Sequence, residues 1–477
     1  MQLWYQVKSR LVKPRFIPLE APTTDSRILR LKEQPIPREH CLDGDVFTFI
    51  NIAHEFSGWG FNGLGNLWTY NQNYFDFINQ EGIFEEEGCK WIDRFIQDVL
   101  ESPDKTSMSL DPYPIALRSI NWIKFFCRYP ESATKARLDS LYSQVLLLEK
   151  KLEYHLLANH LLEDAYAIYI GAAYFGDERI QRKATKLLQE QLQEQILPDG
   201  AHYEQSPMYH CILLDRLLDC FNIRPLAFLE DAAVKMLGHL ESITWSDGSI
   251  PLLNDAAYGI APTADQLFDY ARRLGIQWKA IPMNECGYRK LQKAGMEAIV
   301  DVGNITASYQ PGHTHADTFN YELRIDGKPF IVDTGISTYN KDERRQLERG
   351  TVAHNTVSVN GKDSSEVWGG FRVGRRAKVS GIKVFEGSLE ASHDGFGKAC
   401  KRRFEMTSEG FTVQDWYDGE AASYLHLAEC ADAERVFVEG ATTISVNPWK
   451  YSTEYNVFHE GTVIEIRFRD YLKYSIR

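Results

Sequence analysis

No apolar run in the 477-residue sequence approaches the roughly 18 residues that a membrane-spanning helix requires. Basic charge is also in deficit, with 53 Lys and Arg against 66 Asp and Glu and a formal net charge of −13. Phosphate-rich surfaces select basic proteins, so neither nucleic acid nor membrane insertion is expected. The eight cysteines are scattered and form no C-x-x-C pair, the pattern of reduced thiols rather than a disulfide framework. The opening stretch "MQLWYQVKSRLVKPRFIP" has neither an apolar h-region nor a small-residue cleavage site, so the expected location is cytoplasmic. Low-complexity segments and sequence repeats are absent as well.

What is present divides by period. An apolar content of 44% with 25% charged residues is that of a globular chain, and 477 residues are too many for one ordinary core. From about residue 85 to 275, apolar residues recur at helical spacing in segments such as "PIALRSINWIKFFCRY" (114–129) and "LLEDAYAIYIGAAYFG" (161–176). The breaks between them are short, which predicts antiparallel helical hairpins stacked as a solenoid or closed as an α/α toroid. From about residue 290 the period becomes two, with Asp-Gly, Asn-Gly and Glu-Gly turns, which predicts an antiparallel β-sandwich. The expected domains are therefore 1–285 and 286–477.

Scarce polar groups then stand out against the apolar segments. His313, His315, Asp333 and His354 fall in "HTHADTFNYELRIDGKPFIVDTG" (313–335) and "AHNTVSVNGKDSSEVWGGFRVGRRA" (353–377). Residues 341–380 carry nine Lys and Arg against five acids, a basic run beside these histidines suited to an anionic ligand or to a solvated loop face. Two imidazoles and a carboxylate drawn from His315, Asp333 and His354 make a reasonable zinc-type site, with Asp317 as an alternative ligand.

Together with "LWTYNQNYFDFI" (67–78), "NHLLEDAYAIY" (159–169), "LPDGAHYEQSPMYH" (197–210) and "GSIPLLNDA" (248–256), these stretches resemble the heparinase II/III-like polysaccharide lyases. The resemblance covers about residues 45–380. It implies an N-terminal incomplete α/α toroid, a C-terminal antiparallel sandwich, and β-elimination on a uronic-acid-containing glycan. An acidic polysaccharide or oligosaccharide is then the partner, with one divalent metal, zinc by donor type, and no organic cofactor. The resemblance places Asn159 as the group that neutralises the uronate carboxylate, although an Asn at this point is also a common helix cap. It places Tyr209 and His313 as the proton-transfer pair, with His160 as a secondary candidate and Glu204 and His210 flanking Tyr209. Trp68, Tyr70, Asn71, Glu204 and Arg349 are candidate substrate contacts, and His315, Asp333 and His354 the metal ligands. The alginate-type branch carries a further tyrosine in the loop before "AHNT"; here that loop is "KDERRQLERG", and Tyr339 lies upstream of it.

Two other readings stay open on sequence. A glycoside hydrolase would use a carboxylate pair from Glu163, Asp164, Glu204, Asp247 and Asp255. A glycan-binding or assembly protein would use none. Sequence does not settle the oligomeric state.

Overall fold

The computed structural model describes residues 15–22, 31–102 and 108–477. Residues 1–14, which hold most of the stretch read for a targeting signal, lie outside the described residues. The chain sorts into two compact units. One comprises Met1–Gln195, Leu213–Val234 and Gln266–Gln277, and the other Ile196–Ile212, Lys235–Asp265 and Trp278–Arg477.

The first unit is mainly helical. Its core helix, Ala158–Phe175, is apolar on every face, and each of its residues except His160 is buried. A helix of that composition needs neighbours all round. Pro112–Arg128, Lys135–Lys151 and Glu178–Gln195 pack against it. Gly171 lets Lys135–Lys151 approach, since a Cβ there would stand 2.8 Å from the Val145 side chain. The helical apolar spacing that begins at residue 136 runs on to 156, but the helix ends at Lys151. Beyond it the Asp164 carboxylate accepts the Glu153 N–H at 2.7 Å, so a side chain replaces the helical carbonyl. A three-stranded meander at Leu42–Asp43, Val46–Phe49 and Ile52–Glu55 precedes the helices. Its "VFTFINIAHE" alternation marks strands in a region that the helical pattern does not reach. No described helix is long and apolar enough to cross a membrane.

The second unit holds a large antiparallel sheet of eleven strands. Strand Gly410–Leu427 is its trunk, pairing with Cys400–Thr407, Val457–Ile476, Val357–Ser358 and Lys328–Ile331. The predicted Asp-Gly hairpin turns at Asp326 and Gly327, whose φ values of 49° and 74° are those of the tight turn that matches strand twist. Alternate residues of the sheet bury one apolar face, including Leu323, Phe404, Val413, Ile466 and Leu472.

Inside that layer Arg402 and Asp415 are both fully buried and meet through two bonds of 2.6 and 2.8 Å. Arg402 also donates to the Phe319 and Asn355 carbonyls at 3.0 and 2.6 Å, which ties the sheet to both histidine-bearing segments. Removing one member of such a pair strands a buried charge, at about 3–5 kcal/mol. Asp415→Ala is therefore expected to lower unfolding free energy by about that amount in chemical denaturation. A loss below about 1 kcal/mol, the level of a solvent-exposed pair, would show that the guanidinium finds other partners.

Candidate active site

The local sequence explains how Tyr209 is presented. In "EQSPMYH", Ser206 caps the helix Pro207–Ile223: its Oγ accepts the Tyr209 N–H at 3.2 Å and donates to the Asp255 carbonyl at 2.6 Å. Pro207 follows at the first helical position, where its missing N–H costs nothing. The "LLNDA" loop is stitched to the first histidine segment. The Asp255 N–H donates to the His313 carbonyl at 3.1 Å, and the His315 N–H donates to Asn254 Oδ1 at 2.9 Å. One backbone bond and the side chains of Ser206 and Asn254 therefore hold the Tyr209, Asp255 and H-x-H segments together.

The side chains converge on Asp255. Its carboxylate accepts two bonds from Arg345, at 2.5 and 2.7 Å, one from His313 Nδ1 at 2.9 Å and one from His315 Nε2 at 2.7 Å. Burial alone would push this carboxyl up, but Arg345 and the two imidazole bonds reverse that and hold it well below the ordinary carboxylate range. His313 is thereby fixed as the tautomer with Nδ1 protonated. Its Nε2 lies 3.4 Å from Glu204, and its ring stacks on Tyr209 with centroids 3.8 Å apart. The Tyr339 hydroxyl completes the group, 3.2 Å from the Tyr209 hydroxyl and 3.4 Å from His313 Nδ1. Burial raises both phenols well above 10, so both remain protonated at neutral pH. Tyr209 is nonetheless partly exposed.

Sequence reasoning gave three members of this group no part in a lyase site. Asp255 stood among the carboxylates of the hydrolase reading, Arg345 as one of a basic run, and Tyr339 as upstream of the expected loop. The basic run beside the histidines was the available signal for Arg345. Its function is to neutralise an internal carboxylate rather than to meet a ligand directly.

The expected metal residues are only partly assembled. Asp333 and His354, both fully buried, pair at 2.7 Å. Burial opposes both charges, but each partner reverses it, so the Asp333 carboxyl is lowered and the His354 imidazole raised. Gly335 makes the turn possible: its φ is +68°, a Cβ there would strike the Ser452 carbonyl, and its N–H donates to Asp333 Oδ1 at 2.8 Å. The His315 ring lies 5.3 Å from that of His354 but turns its Nε2 toward Asp255. His315 Nδ1 and His354 Nε2 are buried with no hydrogen-bond partner among the described residues. Two orphaned imidazole nitrogens beside an ionised carboxylate fit a divalent cation by donor chemistry. By spacing the three fall short, because the described residues contain one set of three donor atoms within 4.8 Å of one another, and it is Asp199, His239 and Cys286.

Other expected residues are placed as follows. Asn159 is buried in the first turn of Ala158–Phe175, and the adjacent His160, half-exposed, meets Glu153 at 3.0 Å. Trp68 is corrected from substrate contact to core: it is fully buried against Phe49, His54 and Phe61, and its indole N–H donates to the Ile52 carbonyl. Asn71 is buried too, with its amide bonded to the Leu67 carbonyl one turn back. Arg349, also expected at the substrate, is fully buried and donates to the Thr314 carbonyl at 2.8 Å, bracing the loop between His313 and His315. Glu204 is likewise buried and faces His313.

Residues 276–467 match the heparinase II/III-like C-terminal domain and residues 131–257 the heparinase II/III N-terminal domain, together about two thirds of the chain. The protein belongs to the heparinase II/III-like family. A heparin-sulfate lyase of Pedobacter heparinus is 23% identical over 332 residues, which are 62% of this chain and 48% of that protein. One from Bacteroides stercoris is 24% identical over 247 residues, 44% of this chain and 37% of that protein. The chain thus spans half or less of the length of these curated relatives. Among solved structures, heparinase III superposes with a TM-score of 0.64 at 13% identity, covering 100% of this chain and 89% of that one. A heparan sulfate lyase mutant from Pedobacter heparinus gives 0.60 at 16%, covering 100% and 87%. At such identities the likeness is one of fold: a helical N-terminal region followed by a large antiparallel sheet.

Burial gives the second unit an acid-sensitive core. It pushes the His210 and His426 imidazoles down to about 3 and His393 to about 4. The unfolded chain takes up these protons near pH 6.5, whereas the folded one resists. Their contribution is therefore full above about 6.5 and is lost as pH falls toward 4 and 3. His354, with a raised value, acts in the opposite sense, and so do Glu322 and Asp317, whose carboxyls burial pushes up to about 8 and about 6. The melting temperature of His393→Gln is therefore expected to fall less than that of wild type, each relative to its own value at neutral pH, between about pH 6.5 and 4. Parallel profiles for the two proteins would assign the acid sensitivity elsewhere.

Proposed function

We propose that the protein is a polysaccharide or oligosaccharide lyase that cleaves a uronic-acid-containing acidic glycan by β-elimination. One observation carries the reading: His313 is locked by Asp255 and stacked on Tyr209, so a base and a protonated phenol share one place. Elimination needs a base for the C5 proton, an acid for the departing O4, and neutralisation of the C6 carboxylate. His313 Nε2 takes the proton, and Glu204 stabilises the imidazolium that results. As the C4–O4 bond breaks and the C4–C5 double bond forms, Tyr209 gives its proton to O4 and afterwards regains one. Asn159, with His160 beside it, is assigned the carboxylate by family resemblance. The names of the relatives, heparin-sulfate lyases, point to a glycosaminoglycan-type substrate.

Finer parts of the reading belong here as well. We take the helical region, to about residue 285, as an incomplete α/α toroid because its successive helices pack as neighbours. The strand-rich remainder, 286–477, is taken as a sandwich. A divalent ion, if bound, would be held by His315, Asp333 and His354 and would supply fixed positive charge that stiffens the loop carrying His313. The hydrolase reading is weaker, since its carboxylates are engaged: Asp255 by Arg345, Asp247 by Arg324, Glu204 by His313. Glu163 and Asp164 are fully buried.

The test is ultraviolet absorbance of an unsaturated uronate across heparan sulfate, heparin, chondroitin sulfate and alginate. At least one should give it, and His313→Ala and Tyr209→Phe should each lose about 10²–10⁴-fold in rate. Asp255→Asn should lose rate through the wrong His313 tautomer and also lower unfolding free energy, because it leaves the buried Arg345 guanidinium unpaired. Saturated reducing ends would establish hydrolysis instead, and binding without any product would establish a non-catalytic role.

A further inference from the structure

Asp199, His239 and Cys286 take no part in the site described above, yet three separate segments deliver them to one point. Asp199 sits in the Leu197–Gly200 turn, His239 on the helix Ala227–Ile243, and Cys286 in the loop before strand Tyr288–Lys293. All three are buried, and one donor atom from each lies within 4.8 Å of the other two. The approach is built into the backbone. Gly200 has φ +83°, and a Cβ there would stand 2.0 Å from the Lys235 carbonyl and 3.2 Å from His239 Cβ, so only glycine lets this turn reach the helix.

A second observation points to a ligand. His239 Nδ1 is buried, in a residue only 3% exposed, and has no hydrogen-bond partner among the described residues. An orphaned polar atom of that kind is rare without an unseen partner. Burial raises the Asp199 carboxyl, but the N–H groups of Cys286 and Asn284, each at 2.9 Å, reverse this and keep it ionised. Burial lowers His239 to about 4, so its imidazole is neutral. Burial and Asp199 push the Cys286 thiol up, which leaves a carboxylate beside a protonated sulfur until a cation displaces that proton.

We propose that Asp199, His239 and Cys286 bind one divalent transition metal of the zinc type, at a site separate from His315, Asp333 and His354. The mixed oxygen, nitrogen and sulfur donors select zinc over calcium or magnesium, which take oxygen ligands. The metal pins a turn, a helix and a loop around the Tyr209 segment. The His239 ring lies 5.1 Å from that of His210, next in chain to Tyr209, and the Cys286 carbonyl accepts Gln205 Nε2 at 2.7 Å. The inference does not depend on the lyase reading.

Cobalt(II) supplies the test, because a thiolate bound to it gives a sulfur-to-metal charge-transfer band. Full-length protein is stripped with a chelator, loaded with cobalt(II), and compared with Cys286→Ser and His354→Ala. The band should appear in wild type and in His354→Ala and be lost in Cys286→Ser, with circular dichroism confirming that all three are folded. Zinc should raise the melting temperature of stripped wild type but not of Cys286→Ser, and metal content should differ by about one equivalent between them. A folded wild type without the band, or a band that survives in Cys286→Ser, would overturn the proposal.

Discussion

A carboxylate with no access to water is unstable unless cations and donors surround it, and Asp255 is such a carboxylate. Arg345, equally buried, meets it with both terminal nitrogens, and the two histidines fill the remaining positions. Much of the site depends on this arrangement. Arg345 can reach Asp255 because Asp342 caps the short helix Glu343–Arg349, accepting the Arg345 N–H at 2.9 Å. Its Nε donates to the Gly370 carbonyl, and its guanidinium lies over the rings of Tyr339 and Phe371. One buried charge thus fixes the tautomer of His313, the orientation of His315, the position of Tyr339 and the course of the 370 loop.

The sheet supports the same residues from the other direction through amides. Asn320 donates to Asp333 and accepts the Asn355 N–H; Asn355 donates to the Tyr321 and Val332 carbonyls and accepts from His426. Arg402 holds the Phe319 and Asn355 carbonyls from beneath. Every member of this network except Val332 is buried, where an unmet donor or acceptor costs about 1–3 kcal/mol. The loops carrying His313 and His354 are therefore extensions of the sheet core, which gives both imidazoles a fixed geometry.

Four left-handed positions fall in the same places. Gln205, Asn254, Gln310 and Phe319 all have left-handed φ values although none is glycine. Each lies within a few residues of Glu204, Asp255, His313 or His315. Non-glycine residues are held there only where surrounding bonds over-determine them. Gln205 shows how: its side chain donates to the Cys286 and Asn304 carbonyls while its own carbonyl accepts from Tyr288 and Asn254.

Periodicity made the helical region and the antiparallel sheet legible in the sequence, because each depends on a local repeat of apolar residues. The periodic helical segments and the Asp-Gly hairpin were readable for that reason, and the family motifs singled out Tyr209, His313, His315, Asp333 and His354. Whether a given side chain faces a cleft or the core is not a local property. Trp68 and Arg349 look like sugar contacts by type, and packing buries both. Asp255, Arg345 and Tyr339 look like loop residues, and contacts 26 to 130 residues apart in sequence bring them to His313 and Tyr209. Residue types and periods were fixed by the sequence itself. Which charges became partners was decided by the tertiary fold, because a buried charge is stable only beside groups that the chain brings back from far away.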